Sequence, residues 1–310
     1  MKPVVLLVGK HGLVGRHLTR FLPSLGEVIA MGRQQLDVTK PEEIRRVTRA
    51  IRPQIIVNAT AFKSLDMAES SPDAAHAVNA EAPRWLAEEA KQIGAGLVHF
   101  STDCVFDGTK AGPYHEKDPN NPINVYGRTK LQGEYAVQKS GVPHLIFRVA
   151  RVYGREDKNF LTTVLKMSAH SPELRVVCDQ FGAPTWNREI ARHTTEILAQ
   201  LIGRTGASDI FDGASGIYHM ATSGKTSWSG FASAILEEAS ESRPSKKWFQ
   251  AATENLPLSE CRVVPITTRE YPTPARRPAN SVLANGHLAN TFQVQMPDWR
   301  TQLHEFFAGQ

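Results

Sequence analysis

The stretch 3-PVVLLVGKHGLVG-15 decides how this chain folds. Its apolar run is unbroken, as in a parallel-sheet strand buried on both faces, not in one with a wet side. The run ends in glycines at 9, 12 and 15, and residues 13–22 (LVGRHLTRFL) then show helical spacing. Glycines here allow a tight turn, close approach of backbone to a phosphate, and close helix–strand packing. A helix starting at such a turn points its free N–H groups and positive end at a pyrophosphate. The spacing is Gly-x-x-Gly-x-x-Gly, not the commoner Gly-x-Gly-x-x-Gly, so the strand before and the helix after carry the reading. Gly9, Lys10, His11, Gly12, Leu13, Val14 and Gly15 are therefore expected to hold a dinucleotide.

Working outward, EVIAMG (27–32), IIVNATA (55–61), GLVHFSTD (96–103) and HLIFRVARVYG (144–154) read as further strands. Helical patterns lie between them, the clearest at 82–94 and from Tyr126 to Lys139. This alternation predicts an α/β fold: a Rossmann-type doubly wound parallel sheet with right-handed crossovers. After Gly154 the rhythm loosens. Helices are expected at 159–169, 188–202 and 227–240, a strand and turn at 175–186, and a short strand at 216–221. Residues 1–155 are read as a dinucleotide-binding domain to which a segment of about 187–220 returns, and 156–310 mainly as a smaller α/β substrate-binding lobe.

Composition narrows the function classes. Of 310 residues, 41% are hydrophobic and 22% charged, an ordinary globular balance with room for a large core. No apolar run reaches the roughly 18 residues a membrane span needs, and the amino-terminal run reads as a strand, not a signal peptide. Cys104, Cys178 and Cys261 show no metal-type spacing, which points to a reducing, cytoplasmic setting without disulfides. The net charge of +5 is dispersed, with no long Lys/Arg block, so no nucleic-acid partner is expected.

The second strand ends 31-MGRQQLDV-38. An acid at this strand end favours NAD, whereas an arginine accommodates a 2′-phosphate. Arg33 is present and no acid precedes Asp37, so NADPH is expected, with NADH the alternative. In 122-PINVYGRTKLQGE-134, Tyr126 and Lys130 stand four apart, one turn on the same helix face. A free phenol titrates at about 10, and an ammonium beneath it favours phenolate and eases proton exchange. Such a tyrosine can protonate a carbonyl oxygen as hydride reaches the carbon. Thr102, at the end of the fourth strand, can bond the same oxygen. A Tyr-x-x-x-Lys pair alone is common on helix surfaces; its company with a glycine turn and Ser101-Thr102 makes it a catalytic candidate.

With these pieces in place the chain resembles the extended short-chain dehydrogenase/reductase superfamily, and within it the dTDP-4-dehydrorhamnose reductase family. The resemblance is carried by GKHGLVG, IIVNATA, LDMAESSPDAAHAVNAEA, VHFSTDCVFDG, NVYGRTKLQGE, HLIFRVARVYG, DQFGAPT, GIYHMA and YPTPARRPANSVL, in order over nearly the whole chain. It implies a nucleotide-sugar substrate and reduction of the 4-keto group of dTDP-4-dehydro-L-rhamnose. It implies Tyr126 as proton donor and Lys130 on the nicotinamide ribose. Asp37, Val38, Ala59, Ala61, Phe62, Lys63 and Ser101 would join the glycine turn around the dinucleotide. Thr102, Asp103, Cys104, Tyr126 and Arg151 would meet the substrate.

Related dehydratases carry Thr-Asp-Glu where this chain has Thr102-Asp103-Cys104, so the base for dehydration is missing, and Cys104 reads as a small buried filler. Arg151 stands where family members carry a Trp that touches the sugar. It either pairs with an anionic group on a related substrate or forms a structural ion pair. His17 and Arg188 occupy places where some members bind magnesium between subunits, so no metal is expected, and the chain is expected to be a monomer or homodimer. Two other readings share the scaffold: a non-catalytic dinucleotide-binding subunit like that of methionine adenosyltransferase, and a nucleotide-sugar epimerase.

Overall fold

The computed structural model describes residues 2–309 except 157, 206–209, 212, 243–246 and 258–259. In chain order the first half contains β1 (Val4–Val8), α1 (Leu13–Phe21), β2 (Glu27–Met31), α2 (Pro41–Ile51), β3 (Ile55–Asn58), α3 (Leu65–Ser70), α4 (Pro72–His76), α5 (Ala82–Ile93), β4 (Gly96–Thr102), α6 (Val125–Ser140) and β5 (His144–Val149). The second half contains β6 (Val152–Tyr153), α7 (Phe160–His170), β7 (Glu173–Val177), β8 (Phe181–Gly182), β9 (Thr185–Trp186), α8 (Asn187–Thr205), β10 (Gly216–His219), β11 (Thr226–Ser227), α9 (Trp228–Ser242), α10 (Lys247–Ala252), β12 (Arg262–Ile266), α11 (Gly286–Phe292) and α12 (Trp299–Ala308).

Six strands form one sheet in the order β10-β5-β4-β3-β1-β2, every pairing parallel. This is the doubly wound sheet that the alternation predicts. The apolar runs are unbroken because successive residues serve two cores. Val5, Leu7, Val57, Val98 and Phe147 face one layer with Leu18 of α1 and Ile190 and Ile197 of α8. Leu6, Val8, Ile56, Leu97 and Ile146 face the other, with Ile44 of α2, Leu86 of α5 and Val137 of α6. From β1 the chain moves outward to β2, then returns past β1 to β3. That reversal opens a crevice at the carboxyl ends of β1 and β3, where ligands of open α/β sheets bind.

A third core gathers residues after β5: Tyr153, Leu161, Leu165, Trp186, Phe231, Phe306 and Phe307. The fifth strand is shorter than its apolar pattern suggests. It stops at Val149, and Arg151 adopts φ +44°, a left-handed conformation unfavourable for a side chain with a Cβ. The chain then re-enters β6, which pairs with β9 rather than with the main sheet.

Candidate active site

The carboxyl ends of β1, β3, β4 and β5 open into one cleft of about 1090 Å³. Of the residues singled out from the sequence, Gly9, His11, Gly12, Leu13, Val14, Arg33, Asp37, Val38, Ala59, Ala61, Phe62, Lys63, Ser101, Thr102, Asp103, Cys104, Tyr126, Lys130 and Arg151 all line it. Lys10 and Gly15 are not among its lining residues.

The glycine turn has the shape a diphosphate needs. Gly9 sits at φ +93°, and a Cβ there would fall 2.9 Å from the Ala59 backbone. Gly15 lies beneath the turn: its Cβ would stand 2.1 Å from the Gly9 carbonyl oxygen, so a side chain would lift α1 off the loop. No side chain caps α1 and its first turn carries no acid, which leaves the positive helix end for an anion. The Lys10 amide donates to Met31 O at 3.1 Å, tying the turn to β2. At the end of β2, Arg33 is 86% exposed and reaches Asp37 Oδ2 at 3.9 Å. The other Asp37 oxygen accepts from the Thr39 amide and hydroxyl at 3.0 and 2.7 Å. A cradle without side chains, a bare helix end and an exposed guanidinium fit a nicotinamide dinucleotide bearing a 2′-phosphate.

Across the cleft, α6 begins where Asn124 Oδ1 accepts the Gly127 amide at 2.7 Å. That cap presents Tyr126 in the first turn, and Gly127 lets the helix press on the Cys104 carbonyl. Burial pushes the Tyr126 phenol up; the Cys104 and Asp103 side chains act in the same direction, and the Thr102 hydroxyl opposes them. The phenol is thus held as an acid. The expectation that Lys130 lowers it does not describe this arrangement. The buried amine reaches instead to the Phe100 carbonyl of β4 and lies 3.4 Å from His99 Nε2. Burial draws Lys130 down to about 8.

Thr102 ends β4 in an extended conformation, its hydroxyl donating to Asp103 Oδ1 at 2.9 Å and accepting the Cys104 amide at 3.1 Å. Burial raises the Asp103 carboxyl, with Ser281, Thr102 and Arg151 working against it. Burial likewise pushes the Cys104 thiol up, so it is not a thiolate nucleophile. Arg151 donates to Thr226 O at 3.1 Å and Gln180 O at 2.9 Å, and its guanidinium lies 4.1 Å from the centre of the Trp228 ring. Its backbone is left-handed and its side chain lines the cleft. His17 pairs with Glu156 at 3.5 Å and Arg188 with Glu189 at 2.9 Å. Among the described residues no group of three or more His, Cys, Asp or Glu is placed to hold a metal.

Several residues that line or brace the cleft escape a reading of the sequence. Asn79 sits in a single π turn, Ala77–Glu81, of a kind common at functional sites. Its side chain accepts from the Phe62 amide at 2.8 Å and donates to the Phe62 carbonyl at 3.2 Å, fixing the 61–63 loop. Trp228, the stacking partner of Arg151, lies far away in sequence. Arg277 bonds Asp66 Oδ2 at 2.8 Å, while its buried Nη1 has no hydrogen-bond partner among the described residues. The Ala-Arg-Arg-Pro run at 275–278 was the available signal for Arg277.

A parallel sheet with a glycine turn at its switch point, sharing one cleft with a hydroxyl, a phenol and an amine, defines a class: Rossmann-type, nicotinamide-dependent oxidoreductases. The family model described as the RmlD substrate binding domain matches residues 1–310. A dTDP-4-dehydrorhamnose reductase of Burkholderia thailandensis is 45% identical over 296 residues, covering 96% of this chain and 95% of the relative. One from Escherichia coli is 37% identical, covering 98% of each. The crystal structure of dTDP-4-dehydrorhamnose reductase from Bacillus anthracis in complex with NADP superposes with a TM-score of 0.86 at 30% identity, covering 100% of both chains. The chain belongs to the dTDP-4-dehydrorhamnose reductase family.

Proposed function

We propose that this protein, an extended short-chain dehydrogenase/reductase, uses NADPH to reduce the 4-keto group of dTDP-4-dehydro-L-rhamnose, giving dTDP-L-rhamnose. The observation that carries this reading is the meeting of Thr102, Tyr126 and Lys130 in the same cleft as the Gly9–Gly15 turn. NADPH, when bound, supplies the hydride. The turn and the bare end of α1 would receive its diphosphate, Arg33 would meet the 2′-phosphate, and the Asn79-braced loop at Ala61–Lys63 would lie alongside. Thr102 bonds the substrate carbonyl oxygen and fixes its direction. Tyr126, kept protonated by burial, gives its proton to that oxygen as carbon gains hydride, so ketone, hydride and proton balance to an alcohol. Lys130, braced on β4, binds the nicotinamide ribose. Asp103 and Arg151 line the sugar end with Trp228, and Arg277 is a cation available to the nucleotide's diphosphate. The lobe built from residues after 155 supplies Trp228 and Arg277 to that wall.

The three cysteines are free, which supports a reducing, cytoplasmic setting, and no helix among the described residues is long and apolar enough to cross a membrane; the protein is taken to act as a monomer or homodimer. The test is NADPH oxidation, followed by absorbance, with dTDP-, UDP- and GDP-linked 4-keto sugars. Turnover with the dTDP-linked ketone is expected. Protein that purifies with tightly held NAD and consumes no added NADPH would instead be an epimerase.

A further inference from the structure

Beneath the cleft the chain buries a charged cluster that the reduction above does not use. Glu134 lies one turn beyond Lys130 on α6, and neither it nor Arg148 of β5 has any side-chain exposure. Arg148 donates from Nε to Glu134 Oε1 at 3.0 Å and from Nη2 to Oε2 at 2.7 Å. The Ser101 hydroxyl donates a further, short hydrogen bond to Oε1. Burying such a pair is costly, and well-packed apolar residues often serve stability as well or better. Stability is therefore a weak reason for it. One end of the cluster meets the catalytic shelf, since Ser101 immediately precedes Thr102; the other, Glu134, lies one helical turn from Lys130 on the buried face of α6.

We propose that Glu134 is a positioning residue for the reduction, its carboxylate aligned by Arg148 to act on the Lys130 amine and to hold the Ser101–Thr102 end of β4 in place. This rests on the functional reading above. His99 shows why Lys130 needs such a partner. Asn58 Oδ1 accepts from the Thr60 amide and hydroxyl at 3.1 and 2.6 Å, so its Nδ2 faces His99 Nδ1 at 3.2 Å. Burial keeps His99 neutral; its ring proton is then on Nε2, facing Lys130, and offers the ammonium no acceptor. Burial draws the amine down and the Glu134 charge pushes it back up. The remaining groups around the pair are Tyr126 on α6, Arg148 on β5, Glu116, whose carbonyl lies 3.5 Å from Arg148 Nη1, and His219 on β10, held neutral by burial.

Glu134→Gln alone strands the Arg148 charge, so the pair is replaced together, Glu134→Gln with Arg148→Met, leaving an acceptor for Ser101. Thermal unfolding reports the fold. Two pH profiles report Lys130: kcat/KM with the dTDP-linked ketone, and NADPH affinity from nicotinamide fluorescence. Loss of the Lys130 charge should set a basic limb near 8 in the parent protein. In the folded double variant both limbs should move down by about one unit, with roughly tenfold lower kcat/KM above neutrality. A folded double variant with the parent's limbs and kcat/KM would overturn the proposal. If it does not fold, Glu134→Asp decides: it keeps both charges but withdraws the carboxylate, and a parental profile would equally refute the role. Absent turnover in the parent protein would sink the functional reading, and the NADPH profile would still judge Glu134.

Discussion

Replacing Arg33 with alanine isolates the contribution of the 2′-phosphate. The guanidinium is 86% exposed and its ion pair with Asp37 spans 3.9 Å; an exposed pair of this kind is worth about 0–1 kcal/mol. Asp37 keeps its two Thr39 bonds when Arg33 leaves, so turning toward a phosphate costs the protein little. A hydrogen bond between charged groups contributes roughly 1.5–3 kcal/mol. Subtracting the surrendered pair leaves about 0.5–3 kcal/mol, or roughly 2- to 150-fold in Kd. Fluorescence titration of Arg33→Ala should show that loss for NADPH and almost none for NADH. Raising the salt should narrow the gap between parent and variant, since the contact is exposed. Equal weakening of both cofactors, or an unchanged Kd for NADPH, would refute the assignment of Arg33.

Tyr126→Phe should lower turnover by roughly 10² to 10⁴ while NADPH titrates as in the parent; unaltered turnover removes Tyr126 from the proton transfer. Gly9→Ala forces a Cβ onto the Ala59 backbone at φ +93° and should cost roughly 1–3 kcal/mol in urea unfolding, with weaker NADPH binding; full stability would show that the turn relaxes freely. Lys130 is charged below its depressed value and neutral above it, so parent activity should fall as pH rises through about 8. A profile flat from neutrality to well above that value would contradict the role given to the amine.

The parallel sheet was legible because β1 and β3 are buried on both faces and leave apolar runs; β4 is buried throughout as well, although His99 interrupts its apolar pattern. Tyr126 and Lys130 were legible because four-residue spacing fixes a shared face on any helix. Where Lys130 points was not: its acceptor, Phe100 O, belongs to another strand, and no local pattern encodes that. The break at Arg151 was hidden too, since VARVY looks like continuing strand and a positive φ on arginine has no sequence signature. The π turn at Ala77–Glu81 differs from ordinary helix by one residue of register. In the tail, the pairing of β12 with β7 and the packing of Phe306 and Phe307 of α12 on Trp248 are long-range events that short, Pro-rich stretches do not announce.

The order in which the walls of the cleft occur along the chain has a consequence for biosynthesis. Thr102, Tyr126 and Lys130 leave the ribosome well before Trp228, Arg277 and Ser281, which face them across the cleft. A message cut short before codon 277 thus encodes every group assigned to hydrogen transfer and lacks part of the opposing surface.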